Sequence, residues 1–404
     1  MKSTGPIPPG WAGNSRLLIG GNDAEALVAA AAGTPLFVYD SAQIAAQVAR
    51  FRAAFPPGAA LHYAVKANPY EPLLTQMAKL VDGFDIASAG ELARVVGLGL
   101  PISFAGPGKS EPELEAAIRA GVTLNLESEA EADRALVVAG RIGASARLAI
   151  RVNPPFGLKG AGMRMGGLAS PFGIDHDRVP ALVRRLLAAG ADWRGLHIYA
   201  GSQSLAAEAL VDAQRATLAL AADIATEAGA APPELNLGGG FGISYFHGDR
   251  SLDVEAVGRG LARSGESRPP ILRDTRLVIE LGRWLVGEAG VYLARVVDRK
   301  ISRGRTFVVT DGGLHHMLAA SGNFGQLLRR NYPIANASRF AEEPCEEVTV
   351  TGCLCTPLDL LGDEVMLPRT EVGDLIATFC AGAYGRSASP AAFLGQPEAR
   401  ELLV

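Results

Sequence analysis

The chain has little cysteine, few aromatic residues, no apolar run long enough to cross a bilayer and no large excess of either charge. Four cysteines in 404 residues (Cys345, Cys353, Cys355, Cys380) make no disulfide framework. The Cys353-x-Cys355 spacing does not suit zinc, so the thiols are expected to be reduced and no metal site is expected. A net charge of −4 offers no polyanion-binding surface, which removes nucleic acid from the expected partners. Arg, Asp or Glu interrupt the Ala/Leu-rich runs, and the first nine residues carry no apolar core of signal-peptide length. No membrane association is expected, and the expected location is cytoplasmic. What is present is apolar: 48% hydrophobic against 20% charged residues, a balance too apolar for disorder. The length suits a barrel of about 250 residues with a second, smaller domain.

One stretch organises the rest. Leu61-His62-Tyr63-Ala64-Val65-Lys66 is a short apolar run of strand type that breaks at Asn68-Pro69, since proline lacks an N–H and restrains its predecessor. Lys66 is thereby placed at a strand mouth, where an amine against apolar neighbours becomes a nucleophile. The plainer reading is a snorkelling lysine at a strand end.

After it the chain alternates. Strand candidates fall at 61–65, 83–87, 101–105, 121–126, 147–152, 194–200, 234–238 and 277–281, separated by segments of helical period such as Glu111–Ala120, Ser128–Arg141, Val179–Ala189 and Ala206–Ala228. Eight strands alternating with helices predict an α/β fold, a (β/α)8 TIM-type barrel, with a doubly wound open sheet as the alternative. Past Gly282 the texture turns to short β-rich runs at 289–297, 306–309, 347–351 and 374–379. The expected domains are a barrel over 45–281 and a mostly β domain of 1–44 plus 282–404, with the early strand at 35–39 joining the second.

Barrel active sites gather at the C-terminal ends of the strands, so this topology predicts which distant residues share one mouth. They are Lys66, Asp85, Ser88 and Glu91, Arg151 and Asn153, His197 and Tyr199, Ser202, the run Gly238-Gly239-Gly240-Phe241-Gly242, and Glu280 with Arg283. The glycine run lacks the βαβ setting of a dinucleotide fingerprint. It is either a tight turn or, with Ser202, a phosphate cradle of backbone N–H groups. Glu280 is either the ion-pair partner of Arg283 or a buried carboxylate facing a cofactor. A nucleophilic lysine, a phosphate cradle and a buried carboxylate together describe a site for pyridoxal 5'-phosphate (PLP), with Glu280 on the pyridine nitrogen and Tyr199 stacked on the ring.

In Tyr63-Ala64-Val65-Lys66-Ala67-Asn68, Phe84-Asp85-Ile86-Ala87-Ser88-Ala89-Gly90-Glu91, Gly201-Ser202-Gln203, Leu237-Gly238-Gly239-Gly240-Phe241-Gly242, Glu280-Leu281-Gly282-Arg283, Gly352-Cys353-Leu354-Cys355-Thr356-Pro357-Leu358-Asp359 and Gly382-Ala383-Tyr384-Gly385, the chain resembles the alanine-racemase-fold PLP decarboxylases, the family of diaminopimelate and ornithine decarboxylases. The resemblance spans nearly the whole chain. It implies a homodimer with shared active sites, the β domain of one subunit completing the barrel mouth of the other. It implies Cys355 as the acid that reprotonates the substrate α-carbon, Tyr384 at the cofactor phosphate, and Arg283, Thr356 and Asp359 toward the substrate. By itself Cys355 is more often a small buried hydrophobe; Cys353 has no corresponding role.

The departures point to substrate. Thr356 stands where decarboxylases of free amino acids commonly place an acid for the distal ammonium, and Leu314-His315-His316-Met317 stands in place of the elements around a distal carboxylate. Tyr199 replaces a histidine that stacks on the ring, which should preserve function since stacking needs only a π face. This pattern is similar to the branch of exosortase-A-associated decarboxylases and of an enzyme acting on glutamate tethered to an acyl carrier protein. The expected activity is therefore PLP-dependent α-decarboxylation of an amino acid or a carrier-tethered derivative. A free diamino acid decarboxylase and a racemase are the alternatives, the latter disfavoured by Glu280; a non-catalytic homologue would be expected to have lost Lys66 or Cys355. His315 and His316, as neighbours on a strand, are expected on opposite faces, and the run 159–167 is expected to form a loop over the mouth.

Overall fold

The computed structural model describes residues 2–11, 15–160, 162–326 and 328–404. Its contacts divide the chain into two compact units, Val48–Gly242 with Leu252–Gly282, and Met1–Gln47 with Ile243–Ser251 and Arg283–Val404. The segment Ile243–Ser251, inside the barrel range from sequence, thus groups with the β-rich residues.

The first unit contains eight parallel strands: β1 (Ala60–Ala64), β2 (Gly83–Ile86), β3 (Ile102–Phe104), β4 (Thr123–Leu126), β5 (Arg147–Asn153), β6 (Asp192–Ile198), β7 (Glu234–Asn236) and β8 (Arg276–Leu281). They pair in the order β5-β6-β7-β8-β1-β2-β3-β4, and β4 pairs back onto β5. That last pairing closes the cylinder and removes the open-sheet alternative. Every residue of β1 and β2 is buried, as strands covered on both faces require. Between strands, helices bury one stripe; Glu111–Arg119 turns Leu114, Ala117 and Ile118 inward at i, i+3 and i+4.

Two of these helices open with the same device at the C-terminal rim. Ser88 and Ser128 accept the N–H of Glu91 and Glu131, whose carboxylates reach back to the N–H groups of Ala87 and Glu127. This variant of the capping box fixes how the chain leaves the strand, and so where the strand-end side chains stand.

In the second unit, a sheet runs in the order Ile334–Asn336, Leu375–Thr378, Gly290–Ser302, Arg305–Thr310, Glu346–Thr351, Leu360–Leu367. Leu36–Tyr39 pairs antiparallel with Gly290–Ser302 and parallel with Arg400–Leu403, so the early strand does join this unit. Trp11, Leu17, Val28, Leu36, Val38, Val291, Leu293 and Phe379 share its core. Leu360–Leu367 escapes sequence detection because Glu364 takes a φ of 54° and the pairing shifts register, which breaks the alternation of period two.

Candidate active site

β1 stops at Ala64, and a single 3-10 turn, Val65–Ala67, follows. Lys66 is exposed there between buried Val65 and Ala67, and the Tyr63 hydroxyl donates to the Asn68 carbonyl at 3.0 Å to brace the turn. The Lys66 ammonium lies 5.9 Å from the centroid of the Tyr199 ring. Tyr199 itself sits just beyond β6, one residue past Ile198.

The register then assembles the rest. Ala64 pairs with Asp85, and His197 pairs with Arg151 on one side and Asn236 on the other. Paired residues of a parallel sheet share a face, so Arg151, His197 and Asn236 form one row across three strands. Asn236 Nδ2 donates to Glu280 Oε2 at 3.0 Å, and His197 Nε2 stands 3.1 Å from the same oxygen, close but not aligned as a hydrogen bond. Burial alone would push the Glu280 carboxyl up. His197, Lys66 and Arg151 more than offset it, bringing the group down to about 2. Asp85 goes the other way: burial and the neighbouring Glu280 charge raise it well above the carboxylate range, and its Oδ1 has no hydrogen-bond partner. The two acids are shifted in opposite directions, a separation by environment that acid–base sites use. His62, also without a partner, is held neutral by burial with its pKa lowered to about 4.

The glycine run is demanded by close backbone approach. A Cβ on Gly238 would strike the Tyr199 ring, one on Gly239 the Glu280 carbonyl and one on Gly240 the Gly201 carbonyl, and Gly238 and Gly240 have φ of +66° and +80°. Ser202 pairs antiparallel with Met163, and Gly162 N–H bonds the Ser202 carbonyl. The 159–167 run is tied in this way to the phosphate-cradle candidate; Ala161 lies outside the described residues. Asn153 spends its amide on Asp175 and the Leu168 carbonyl, bracing the loop base.

One residue escaped the sequence reading. Arg151 donates to Glu127 Oε1 at 2.8 Å, and Glu127 stands at the end of β4, one of two strands that contributed nothing from sequence. The signal was there: Glu127 immediately precedes Ser128-x-x-Glu131, as Ala87 precedes Ser88-x-x-Glu91.

In the second unit, Arg283 donates to the Tyr245 hydroxyl at 2.8 Å and lies over the rings of Tyr245 and Tyr384, 5.5 and 4.6 Å from their centroids. Burial pushes Tyr245 up to about 12, so the phenol stays neutral against the guanidinium. Among the described residues no carboxylate pairs with Arg283. Cys355 is exposed, not the buried hydrophobe of the plainer reading, while Cys353 is half-buried with Sγ 3.6 Å from the Asp311 carbonyl. Thr356 turns its hydroxyl to the Leu358 N–H at 3.4 Å. Asp359 is 2% exposed, and its oxygens accept the N–H groups of Leu314 at 2.6 Å and Leu354 at 2.8 Å. His315 and His316 lie in a turn after Gly312-Gly313, not on a strand, and their ring centroids are 3.7 Å apart with the planes tilted by 43°, so the rings are side by side instead of facing opposite ways.

Residues 41–287 match the family described as pyridoxal-dependent decarboxylase, pyridoxal binding domain. The chain belongs to the pyridoxal-dependent decarboxylases. It is 35% identical to L-glutamyl-[BtrI acyl-carrier protein] decarboxylase of Niallia circulans over 92% of this chain and 88% of that one. It is also 35% identical to a diaminopimelate decarboxylase of Neisseria meningitidis over 89% and 87%. The solved diaminopimelate decarboxylase of M. jannaschii superposes with a TM-score of 0.87 at 27% identity, covering 97% of this chain and 91% of the other.

PLP, the cofactor of this family, fits the residues present in this decarboxylase. The mouth offers an exposed amine at Lys66, a flat ring at Tyr199, an ionised carboxylate at Glu280 and an unpartnered buried oxygen on Asp85. Gly240 brings the glycine run against the carbonyl of Gly201, the neighbour of Ser202.

Proposed function

We propose that this decarboxylase removes the α-carboxylate from an amino acid whose distal group is masked, as in a glutamyl unit carried on an acyl carrier protein. The observation that carries the reading is Asp359. The loop from Gly352 to Asp359 contains one carboxylate; it is buried, and each of its oxygens accepts a backbone N–H, which disfavours it as the partner of a distal ammonium. The likeness to the L-glutamyl carrier-protein decarboxylase supports the same choice. Free diamino acid substrates are the second reading, supported by the structural likeness to diaminopimelate decarboxylase.

When bound, PLP supplies a carbonyl for amine chemistry and an electron-accepting ring. Lys66, the amine at the end of β1, would hold it covalently. Glu280 stays ionised and so can keep a proton on a pyridine nitrogen set against it, with His197 and Asn236 orienting its carboxylate. Tyr199 would offer its ring face to the cofactor, and Asp85, Arg151, Ser202, Gly238, Gly239, Gly240 and Tyr384 would complete the set that holds it. The bond from the α-carbon to the carboxylate breaks, carbon dioxide leaves, and the thiol of Cys355 returns a proton to the α-carbon. Arg283 and Thr356 face the substrate. In this reading the working form is a homodimer in the cytoplasm, with Cys355 contributed across the subunit boundary.

Mass spectrometry of the PLP-loaded protein incubated with lysine, ornithine, arginine, diaminopimelate or glutamyl-loaded carrier protein tests this. Loss of carbon dioxide confined to the loaded carrier is expected; turnover of a free diamino acid overturns the masked-substrate reading and leaves the decarboxylase in place.

A further inference from the structure

Glu127 and Arg151 form a buried charged pair of the barrel that is bonded to neighbouring chain segments. The last β4–β5 partners are Leu126 and Ile150, so Glu127 follows directly opposite Arg151. Glu127 is 5% exposed and Arg151 7%. Oε1 of Glu127 accepts Gly106 N–H at 2.6 Å and Arg151 Nη1 at 2.8 Å, and Oε2 accepts Gly173 N–H at 2.7 Å. The backbone N–H of Glu127 bonds Glu131, which pairs with Lys109 at 2.7 Å; Lys109 in turn bonds the carbonyls of Gly106 and Asn125. On its other side the Arg151 guanidinium lies 5.0 Å from the Phe172 ring.

Two acids and two bases in so enclosed a place add little to stability, because desolvation cancels most of their attraction. What they do supply is a fixed position. With Glu127 anchored to neighbouring chain segments and Phe172 on its other side, the guanidinium is restrained in its orientation. That orientation puts its charge on the acids of the site: Arg151 is the register neighbour of His197, which contacts Glu280, and both Glu280 and Asp85 feel it.

We propose that Glu127 is a positioning residue of this decarboxylase, locking Arg151 toward Asp85 and Glu280 and leaving the remaining guanidinium donors for the bound cofactor. The inference rests on the PLP reading of the barrel mouth. It gives β4 a part in the site, so that Glu127 acts on the cofactor only through Arg151.

The test is a double-mutant cycle on PLP affinity, read by titrating the apoprotein with PLP and following absorbance and protein fluorescence, with no turnover involved. Glu127→Gln in the wild-type background is expected to weaken PLP binding about 10-fold and to shift the absorption maximum of the bound cofactor. In the Arg151→Gln background the same change is expected to cost less than about 2-fold and to leave the spectrum where Arg151→Gln alone puts it. Equal costs in both backgrounds, or unchanged affinity and spectrum in Glu127→Gln, overturn the positioning role, since a merely structural glutamate would act whether or not Arg151 is present. Should Glu127→Gln not accumulate folded, Glu127→Asp keeps the charge, shortens the reach by one methylene and reads the same coupling. A wild-type chain that takes up no PLP overturns the cofactor reading itself, which separates the two failures.

Discussion

At the barrel mouth, charged side chains hold one another; in the Cys355 loop, a charged side chain holds backbone. Glu280 is set by His197 and Asn236 from adjacent strands, and Arg151 by Glu127. Asp359 clasps Leu314 and Leu354, and Cys355, the residue after Leu354, is left exposed. The first arrangement tunes charges against each other and suits a cofactor whose electronics must be controlled. The second fixes a loop so that one thiol is presented, and suits a single proton delivery.

The sharpest division between the two regions is in the chemistry each is asked to do. Lys66→Ala removes the only amine at the end of β1 and should lower turnover by on the order of 10³-fold or more, with loss of the covalently held cofactor spectrum. Cys355→Ala should cost about 10²-fold, the size of one general acid, with PLP affinity unchanged. A Cys355→Ala enzyme with full turnover and the same product stereochemistry would break the assignment, and the loop would then be only structural.

Acid stability separates the regions by a different measure. Buried His62 titrates at about 4 in the folded barrel against 6.5 for the unperturbed group, so between those values the unfolded chain binds the additional proton. The stability gained by keeping His62 neutral is whole above about pH 6.5 and is lost as pH falls toward about 4, by roughly 3 kcal/mol if the site does not relax. His316 in the second unit is lowered to about 4 as well, but it bonds the Tyr292 hydroxyl and the Pro397 carbonyl, whereas His62 has no partner. Denaturant unfolding at pH 7 and pH 4.5 should therefore show His62→Gln flattening the acid fall. An unchanged slope in that variant would assign the acid sensitivity elsewhere.

How far each region was legible from sequence follows from its geometry. A closed parallel barrel has a rule that carries strand ends to one mouth, so Lys66, Asp85, Arg151, His197 and Glu280 could be grouped from strand positions alone. Glu127 was missed because β4 ends in Asn-Leu-Glu with no lysine, histidine or glycine run to mark it. The β-rich unit has no such rule. Its candidates came through family resemblance, which names residues without saying where their side chains point. Asp359 is one such residue, named toward the substrate by resemblance and found with both oxygens on backbone N–H groups.

Asp359 offers the finest test of the comparison. Gly313 and Gly352 both lack a side chain where a Cβ would collide with its carboxylate, so the loop is built around this group on two sides. Burial raises its pKa, and the two N–H donors work against that rise. An amide at this position has one acceptor oxygen in place of two, so Asp359→Asn leaves one buried N–H without a partner, at a cost of about 1–3 kcal/mol. The expected result is a lower thermal midpoint and faster, less uniform alkylation of Cys355, with KM changed little. A residue that read substrate would behave the opposite way, raising KM at constant stability. The split between KM and thermal midpoint thus decides whether the loop's one carboxylate serves the chain or the substrate, and with it whether the masked-substrate reading keeps its main support.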